Sequence, residues 1–343
     1  MSTSHYHFTD SREAVIQVGK KKIDLLFLKH GEVTCPVTSF VYYCKNREEL
    51  VRLEGAFWSL VGHLTVVVRG FEVAKNVRLC FKNVSDGDVL ISWGAYIWKN
   101  IHRCYIPHAY IKFLPNEEIC IDLGDVSPNT SYSGALGIHA LAEPAEDVSA
   151  FPEGKHIGVL ITVSSDNYGE NKIIVSTEKP VKKPKVKIID IKIPGFCFER
   201  EHYDFEVWMR VEDCPCKNPI VGMMILDKPT DGKMYWRLRS GEWREVPVHE
   251  WLIDKYEGVA SPEGPSFRYG SKIYFIGEGT YRVKIGVGYE TYPKWSEIHE
   301  YSLILKHVFE DVEEVKMSRP RLYTTTVTID VRKRRSTSVK LVA

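Results

Sequence analysis

Between residues 204 and 211 apolar and polar positions alternate without a break. Phe205, Val207, Met209 and Val211 fall on one face, and Asp204, Glu206, Trp208 and Arg210 on the other. A period of two is the signature of a β-strand with one buried face. The same pattern returns at 281–287, where Tyr281, Val283, Ile285 and Val287 oppose Arg282, Lys284 and Gly286. Ile189, Ile191 and Ile193 predict a further half-buried strand, and 301–308 reads as a last one. Turn residues at Pro229-Thr230-Asp231-Gly232, Ser240-Gly241 and Pro262-Glu263-Gly264-Pro265 punctuate the region. Short alternating strands separated by such turns predict an antiparallel β-sandwich.

The N-terminal half is also rich in strand patterns, at 64–69, 77–81, 89–98, 101–106, 109–114, 118–123, 135–141, 156–164 and 172–175. So many short strands at this spacing predict a sandwich of the jelly-roll kind. One segment departs from the pattern. Over 47–61 the residues Leu50, Leu53, Phe57, Leu60 and Val61 recur at helical spacing, and Asn46 with Glu49 has the form of a capping box, so one short helix is expected there despite Gly55. Between the halves lies STEKPVKKPKVK at 176–187, with two prolines and five lysines, which reads as a linker. The expected organisation is thus all-β, in two tandem sandwiches. These are 1–175 (jelly-roll-like) and 188–308, joined by 176–187 and followed by an acidic connector and basic arm at 309–343.

In the second half, Glu278-Gly279-Thr280-Tyr281-Arg282-Val283 resembles the approach to the penultimate strand of immunoglobulin-like and fibronectin-type domains. There a glycine two residues before a tyrosine sets up a tyrosine corner. The resemblance implies an immunoglobulin-like sandwich over 186–308. The Cys…Trp…Cys framework of antibody domains is missing from it.

Composition adds one constraint. The 343 residues include a single glutamine, Gln17, amid abundant Lys, Glu, Ile, Val and Tyr. That bias fits selection by heat against thermolabile amides, and points to a hyperthermophilic source. Intracellular proteins of such organisms are an exception to the rule of reduced cytosolic thiols. The eight cysteines (35, 44, 80, 104, 120, 197, 214 and 216) therefore allow up to four bridges, with the pairing left open. Cys214-Pro215-Cys216 is expected to bridge to other cysteines, since so short a ring conflicts with disulfide geometry. The start of the chain lacks the basic-then-apolar pattern of a secretory signal, and no apolar run is long enough to span a membrane. A soluble protein made in the cytoplasm is the expectation.

No motif of catalysis is evident. The chain has no G-x-S-x-G elbow, no phosphate-binding loop, no dinucleotide fingerprint and no H-E-x-x-H. The local groups His5 with His7, His102 with Cys104 and His108, and Cys214 with Cys216 lack the paired spacing of a zinc site. No catalytic residue, cofactor or metal is assigned. Two aromatic groups, one around Trp93, Tyr96, Trp98 and Tyr105 and one around Tyr235, Trp236, Trp243 and Trp251, fit either a core or an interface. Trp93, Trp98, Trp236 and Trp243 are the candidate interface residues. Asn83-Val84-Ser85 and Asn129-Thr130-Ser131 are glycosylation sequons, making Asn83 and Asn129 candidate acceptors.

Charge is divided unevenly. The totals of 46 basic and 45 acidic residues balance, yet 318–343 holds seven basic residues against Asp330 alone, a local charge of +6 that leaves −5 on the rest. Within this tail Val327, Ile329 and Val331 alternate with Thr326, Thr328 and Asp330. A lone strand is unstable, so it is expected to pair with an exposed sheet edge, its own chain's or a neighbour's. Arg332, Lys333, Arg334 and Arg335 would then meet an acidic surface, nucleic acid or another subunit. In style, over the whole chain, these features resemble the structural proteins of viruses that infect hyperthermophilic archaea, whose capsid and turret subunits use jelly-roll and immunoglobulin-like modules. The resemblance implies a non-enzymatic virion subunit, located in the virion, whose partners are copies of itself and other virion proteins. The alternatives are a cellular carbohydrate- or protein-binding module and a hydrolase with an accessory β-sandwich.

Overall fold

The structure, a computed structural model, describes residues 21–45, 49–99, 102–105, 111–298, 312 and 322–334, without the side chains of 94–99 and 102–105. Two compact units emerge. Unit 1 comprises 1–182 and 294–313, and unit 2 comprises 183–293 and 314–343. Both are all-β, and the helical content of the described residues is one 3₁₀ turn at Trp295–Glu297.

Unit 1 contains β1 (Lys22–Lys45), β2 (Glu49–Arg69), β3 (Ala74–Asn83), β4 (Val89–Lys99), β5 (His102–Tyr105), β6 (Ile111–Phe113), β7 (Glu118–Val126), β8 (Ser131–Leu141), β9 (Gly158–Ser165) and β10 (Gly169–Ser176). One sheet runs β5-β4-β6-β1-β2-β8, and because β4 also pairs with β8 its hydrogen bonding returns on itself. Closure of this kind leaves few edges on which other chains could template. The second sheet is β10-β9-β3-β7. Val77, Leu79 and Phe81 of β3 and Val159, Ile161 and Val163 of β9 supply its buried face, and Phe81 meets Trp93 of β4 at 6.2 Å. Cys80 of β3 and Cys120 of β7, directly opposed in register, form a disulfide.

The helix expected over 47–61 is instead the first part of β2. Residues 55–62 are buried without interruption because both faces of the strand are covered. Trp58 packs on Phe151, while Phe57 joins Val41, Tyr43, Leu90, Leu141 and Val148 in a core cluster. A strand buried on both faces loses its period of two, and a run of apolar residues then matches a helical template by chance. Gly55, which weakens a helix, is a strand glycine against which Leu141 lies.

Residues 176–187 are no free tether. Val181 is fully buried and exchanges backbone bonds with the 154–155 turn, and Lys182 N–H donates to Thr34. The boundary between units follows, at Lys182/Lys183.

Unit 2 contains β11 (Lys185–Lys192), β12 (Phe196–Phe198), β13 (Tyr203–Glu212), β14 (Cys216–Asp227), β15 (Lys233–Arg237), β16 (Trp243–Glu245), β17 (Leu252–Lys255), β18 (Val259–Ala260), β19 (Phe267–Ile276), β20 (Gly279–Thr291) and β21 (Tyr323–Arg332). Its sheets are β11-β13-β19-β15-β16 and β12-β21-β20-β14-β17. The alternation in β13 and β20 is realised as read, with Phe205, Val207, Met209, Tyr281, Val283, Ile285 and Val287 all buried. In β11 the expected face shifts. A bulge between Ile188 and Asp190 sets Ile188 and Ile191 opposite Met209 and Val207 and leaves Ile189 54% exposed.

The tyrosine corner is present. Tyr281 is fully buried and its hydroxyl donates to the Ile276 and Gly277 carbonyls at 2.7 and 3.0 Å. Tyr281→Phe keeps the ring against Phe275 but strands these acceptors. A loss of about 1–3 kcal/mol is expected, read as a lower denaturant midpoint at unchanged slope.

Candidate binding face of the C-terminal unit

The outward rows of the β13, β19, β15 and β16 sheet carry the chemistry. On β19 the inward residues Tyr269, Ile273 and Phe275 are buried, so Arg268, Gly270, Lys272 and Tyr274 face out. Register places Glu206 of β13 beside Gly270, Asp204 beside Lys272, and Tyr235 of β15 beside Tyr274. Arg237 of β15 pairs with Trp243 of β16.

At one end the rings are assembled. Tyr235 and Tyr274 stack at 4.7 Å and 6°, Trp243 meets Tyr274 edge-on at 5.0 Å, and His202 stacks on Trp243 at 4.9 Å. Tyr235, Tyr274 and Trp243 remain partly exposed, and His202 is exposed. Burial, then the neighbouring Tyr235 and Glu245, raises the Tyr274 phenol above its ordinary range, so its hydroxyl stays protonated near neutrality.

Beside the rings is a concavity of about 650 Å³ lined by Asp204, Glu206, Arg237, Arg239, Arg268 and Lys272, with Leu238, Gly241, Gly270, Ser271 and Tyr256 completing its wall and floor. Arg268 forms an ion pair with Glu206, and the Arg239 guanidinium lies 4.0 Å from the Tyr256 ring centre. Asp254 holds this side in place by accepting from the backbone N–H of Arg239 at 2.7 Å and from the buried Tyr269 hydroxyl at 2.5 Å.

The expected site residues separate. Of the candidate interface tryptophans, Trp93 and Trp236 are core residues, at 3% and 0% exposure. Only Trp243 reaches the surface, while the Trp98 side chain lies outside the described residues, as do those of Tyr96, Tyr105, His102 and Cys104. His5, His7, His108, 301–308 and the acidic connector apart from Val312 lie outside them too. Asn83 is corrected as a glycan acceptor. It is fully buried, its amide donating to Gly87 O and Phe113 O while its Oδ1 accepts from Ser85 N–H. Asn129 is exposed on a turn, in the left-handed conformation. Cys214 is disulfide-bonded and Cys216 is free, so the two do not bridge each other. Burial pushes the Cys216 and Cys197 thiols up to about 12, which keeps them protonated and inert.

The tail strand β21 pairs within its own unit, antiparallel to β20 and parallel to β12. Ile329 and Val331 are fully buried there and Val327 is partly buried. An arm exchanged between subunits would have to leave that sheet. The basic run is engaged locally as well. Arg332 lies 4.9 Å from the Phe196 ring centre and pairs with Asp330, and Arg334 lies 5.4 Å from Phe198 and pairs with Glu201. Lys333 is exposed, and Arg335 lies outside the described residues.

A serine and a histidine do meet in unit 1, at 2.8 Å between Ser59 Oγ and His139 Nδ1, but both are buried at 0% and 1% exposure, beyond the reach of a substrate. Among the described residues no group of three metal-ligating side chains forms. Burial lowers the His139 pKa to about 4 from 6.5. The unfolded chain therefore takes up a proton below pH 6.5 that the folded protein refuses until about pH 4. Stability is full above the upper limit and falls as pH drops through this window. Between pH 7 and pH 5 the contribution is about 2 kcal/mol, measurable as a difference in urea unfolding that His139→Gln removes.

No protein-family model matches the chain, and no curated protein matches it. Among solved structures it is similar to the C-terminal domain of the AgI/II polypeptide BspA of Streptococcus agalactiae, at 9% identity over 86% of this chain and 99% of that one, with a TM-score of 0.34. It is also similar to domains 4 and 5 of the S-layer protein SbsC, at 11% identity over 69% and 96% with a TM-score of 0.22. A third likeness is to the secreted serine protease VesC of Vibrio cholerae, at 10% identity over 63% and 43% with a TM-score of 0.18. At these scores the likenesses carry no argument about what the chain does.

Proposed function

We propose that the chain is a non-enzymatic β-protein that works by binding through a sheet surface, and within that class a structural subunit of a virion, as a capsid, vertex or turret component. The observation that carries this reading is the face bearing Tyr235, Tyr274, Trp243 and His202 beside Arg237, Arg239, Arg268 and Lys272. Tyrosine, tryptophan and arginine are the residues that dominate interface energetics. Rings already stacked on one another lose little freedom when a partner arrives, which lowers the entropic penalty of association. The virion part of the reading is supported by the sequence's resemblance in style to archaeal viral structural proteins. Copies of the same chain and other shell proteins are its proposed partners.

Light scattering of the full chain over a wide range of concentration tests this. A defined oligomer is expected, weakened in the double variant Tyr235→Ser with Trp243→Ser while its circular dichroism is unchanged. A monomer at every concentration would overturn the subunit reading.

A further inference from the structure

Gly270 is the observation to explain. It occupies an outward position in mid-strand, where glycine weakens a sheet and marks a bulge or the close approach of another molecule. No bulge interrupts the pairing of β13 with β19, and the Gly270 backbone is not in the left-handed region. Packing does not require it either. A Cβ there would meet nothing nearer than the Arg268 side chain at 3.7 Å, an ordinary contact. The absent side chain leaves the floor of the concavity open between Arg268 and Lys272.

We infer that this concavity binds an acidic polysaccharide, a chain of pyranose rings bearing carboxylates. The inference rests on the reading of this sheet as a binding surface; protein partners meet the end that bears Trp243 and His202, and the concavity beside it takes a ligand of its own. Four cations, Arg237, Arg239, Arg268 and Lys272, stand against Asp204 and Glu206, a local excess of positive charge. Arginine's planar fork matches a carboxylate in bidentate geometry. Asp204 and Glu206 accept hydrogen bonds from sugar hydroxyls, groups that the backbone of a deoxyoligonucleotide lacks. A sheet face also lacks the unpaired backbone groups that an added peptide strand needs. Tyr256 within the concavity and Tyr274 beyond Lys272 supply apolar ring surface for the C–H faces of sugars. From Arg268 to Tyr274 this strip runs for six residues, roughly 20 Å at the usual strand rise, long enough for several sugar units.

Titration calorimetry of the full chain with oligogalacturonate, neutral dextran oligomers and oligodeoxythymidylate tests the inference. Saturable binding is expected for the uronate, falling as salt rises, with dextran and the oligonucleotide weaker. Gly270→Leu fills the floor and should weaken uronate binding by about tenfold or more with no fall in melting temperature, the scale of losing one or two charge-assisted hydrogen bonds. Lys272→Gln with Arg237→Gln should weaken it similarly, whereas Arg282→Gln on the other sheet should not. Absence of saturable uronate binding, indifference to Gly270→Leu, or tighter binding of the oligonucleotide would each overturn the inference. A protein that still forms its oligomer in those cases retains the subunit reading, so the two fail separately.

Discussion

Ending the chain after Arg321 is expected to abolish cooperative folding of unit 2. Strand β21 pairs with β20 over nine successive positions, from Gly279↔Val331 to Val287↔Tyr323, and its other edge pairs with β12. Its removal parts β12 from β20 and bares one edge of Tyr281, Val283, Ile285 and Val287. Burial of Ile329 and Val331 contributes about 1.5–3 kcal/mol each, and the lost ladder adds to this. The total is comparable with the ~5–15 kcal/mol that holds a domain together. Loss of near-ultraviolet circular dichroism and a smaller denaturant slope would register the unfolding. A truncated chain with an unchanged unfolding transition would contradict the placement of β21. Truncation is therefore a poor probe of assembly, because by breaking the β12-β21-β20-β14-β17 sheet it unfolds the unit whose other sheet is proposed to bind. Surface substitutions such as Trp243→Ser are the appropriate ones.

Trp236→Ala is expected to destabilise unit 2 by about 3–5 kcal/mol, the range for deleting a large buried aromatic. Its indole is fully buried between Phe205 at 6.2 Å and Tyr269 at 5.8 Å, so the vacated space has packed walls on both sides. Seven residues further on, Trp243→Ala loses only a stack on His202 and an edge contact with Tyr274, about 0.5–1.5 kcal/mol. Urea unfolding followed by circular dichroism distinguishes the two. Equal effects would contradict the burial that separates them. Any loss of binding in Trp236→Ala would report unfolding, whereas in Trp243→Ala it would report the surface.

The contrast between these tryptophans shows how the candidate site became visible. Within the same short aromatic run, one ring points into the core and the other out of it, and that choice follows from the register of β15 with β19 and of β16 with β15. Strand β19 is hard to read from the sequence because its apolar face is interleaved with Arg268, Gly270, Lys272 and Tyr274, and a glycine between two cations reads as loop. Its alternation of Tyr269, Ile273 and Phe275 was the available signal. Asn83 illustrates the opposite failure. The Asn-Val-Ser triplet meets the chemical rule for a glycan acceptor, but its amide is consumed inside unit 1 by the carbonyls of Gly87 and Phe113.

Local order is what the residues dictate on their own. The period of two in β13 and β20 compelled half-buried strands, and Gly279 and Tyr281 lie close enough to Ile276 for the corner bond to be legible in the chain. Tertiary structure decided whatever depends on distant segments. Covering both faces of β2 turned an apparent helix into a strand. A bulge in β11 put Ile189 outside, and the free edge of β20 captured β21 and, with it, the arginines of the basic tail. Each of these is a choice among partners far apart along the chain, and alternation records that a face is buried without recording what buries it.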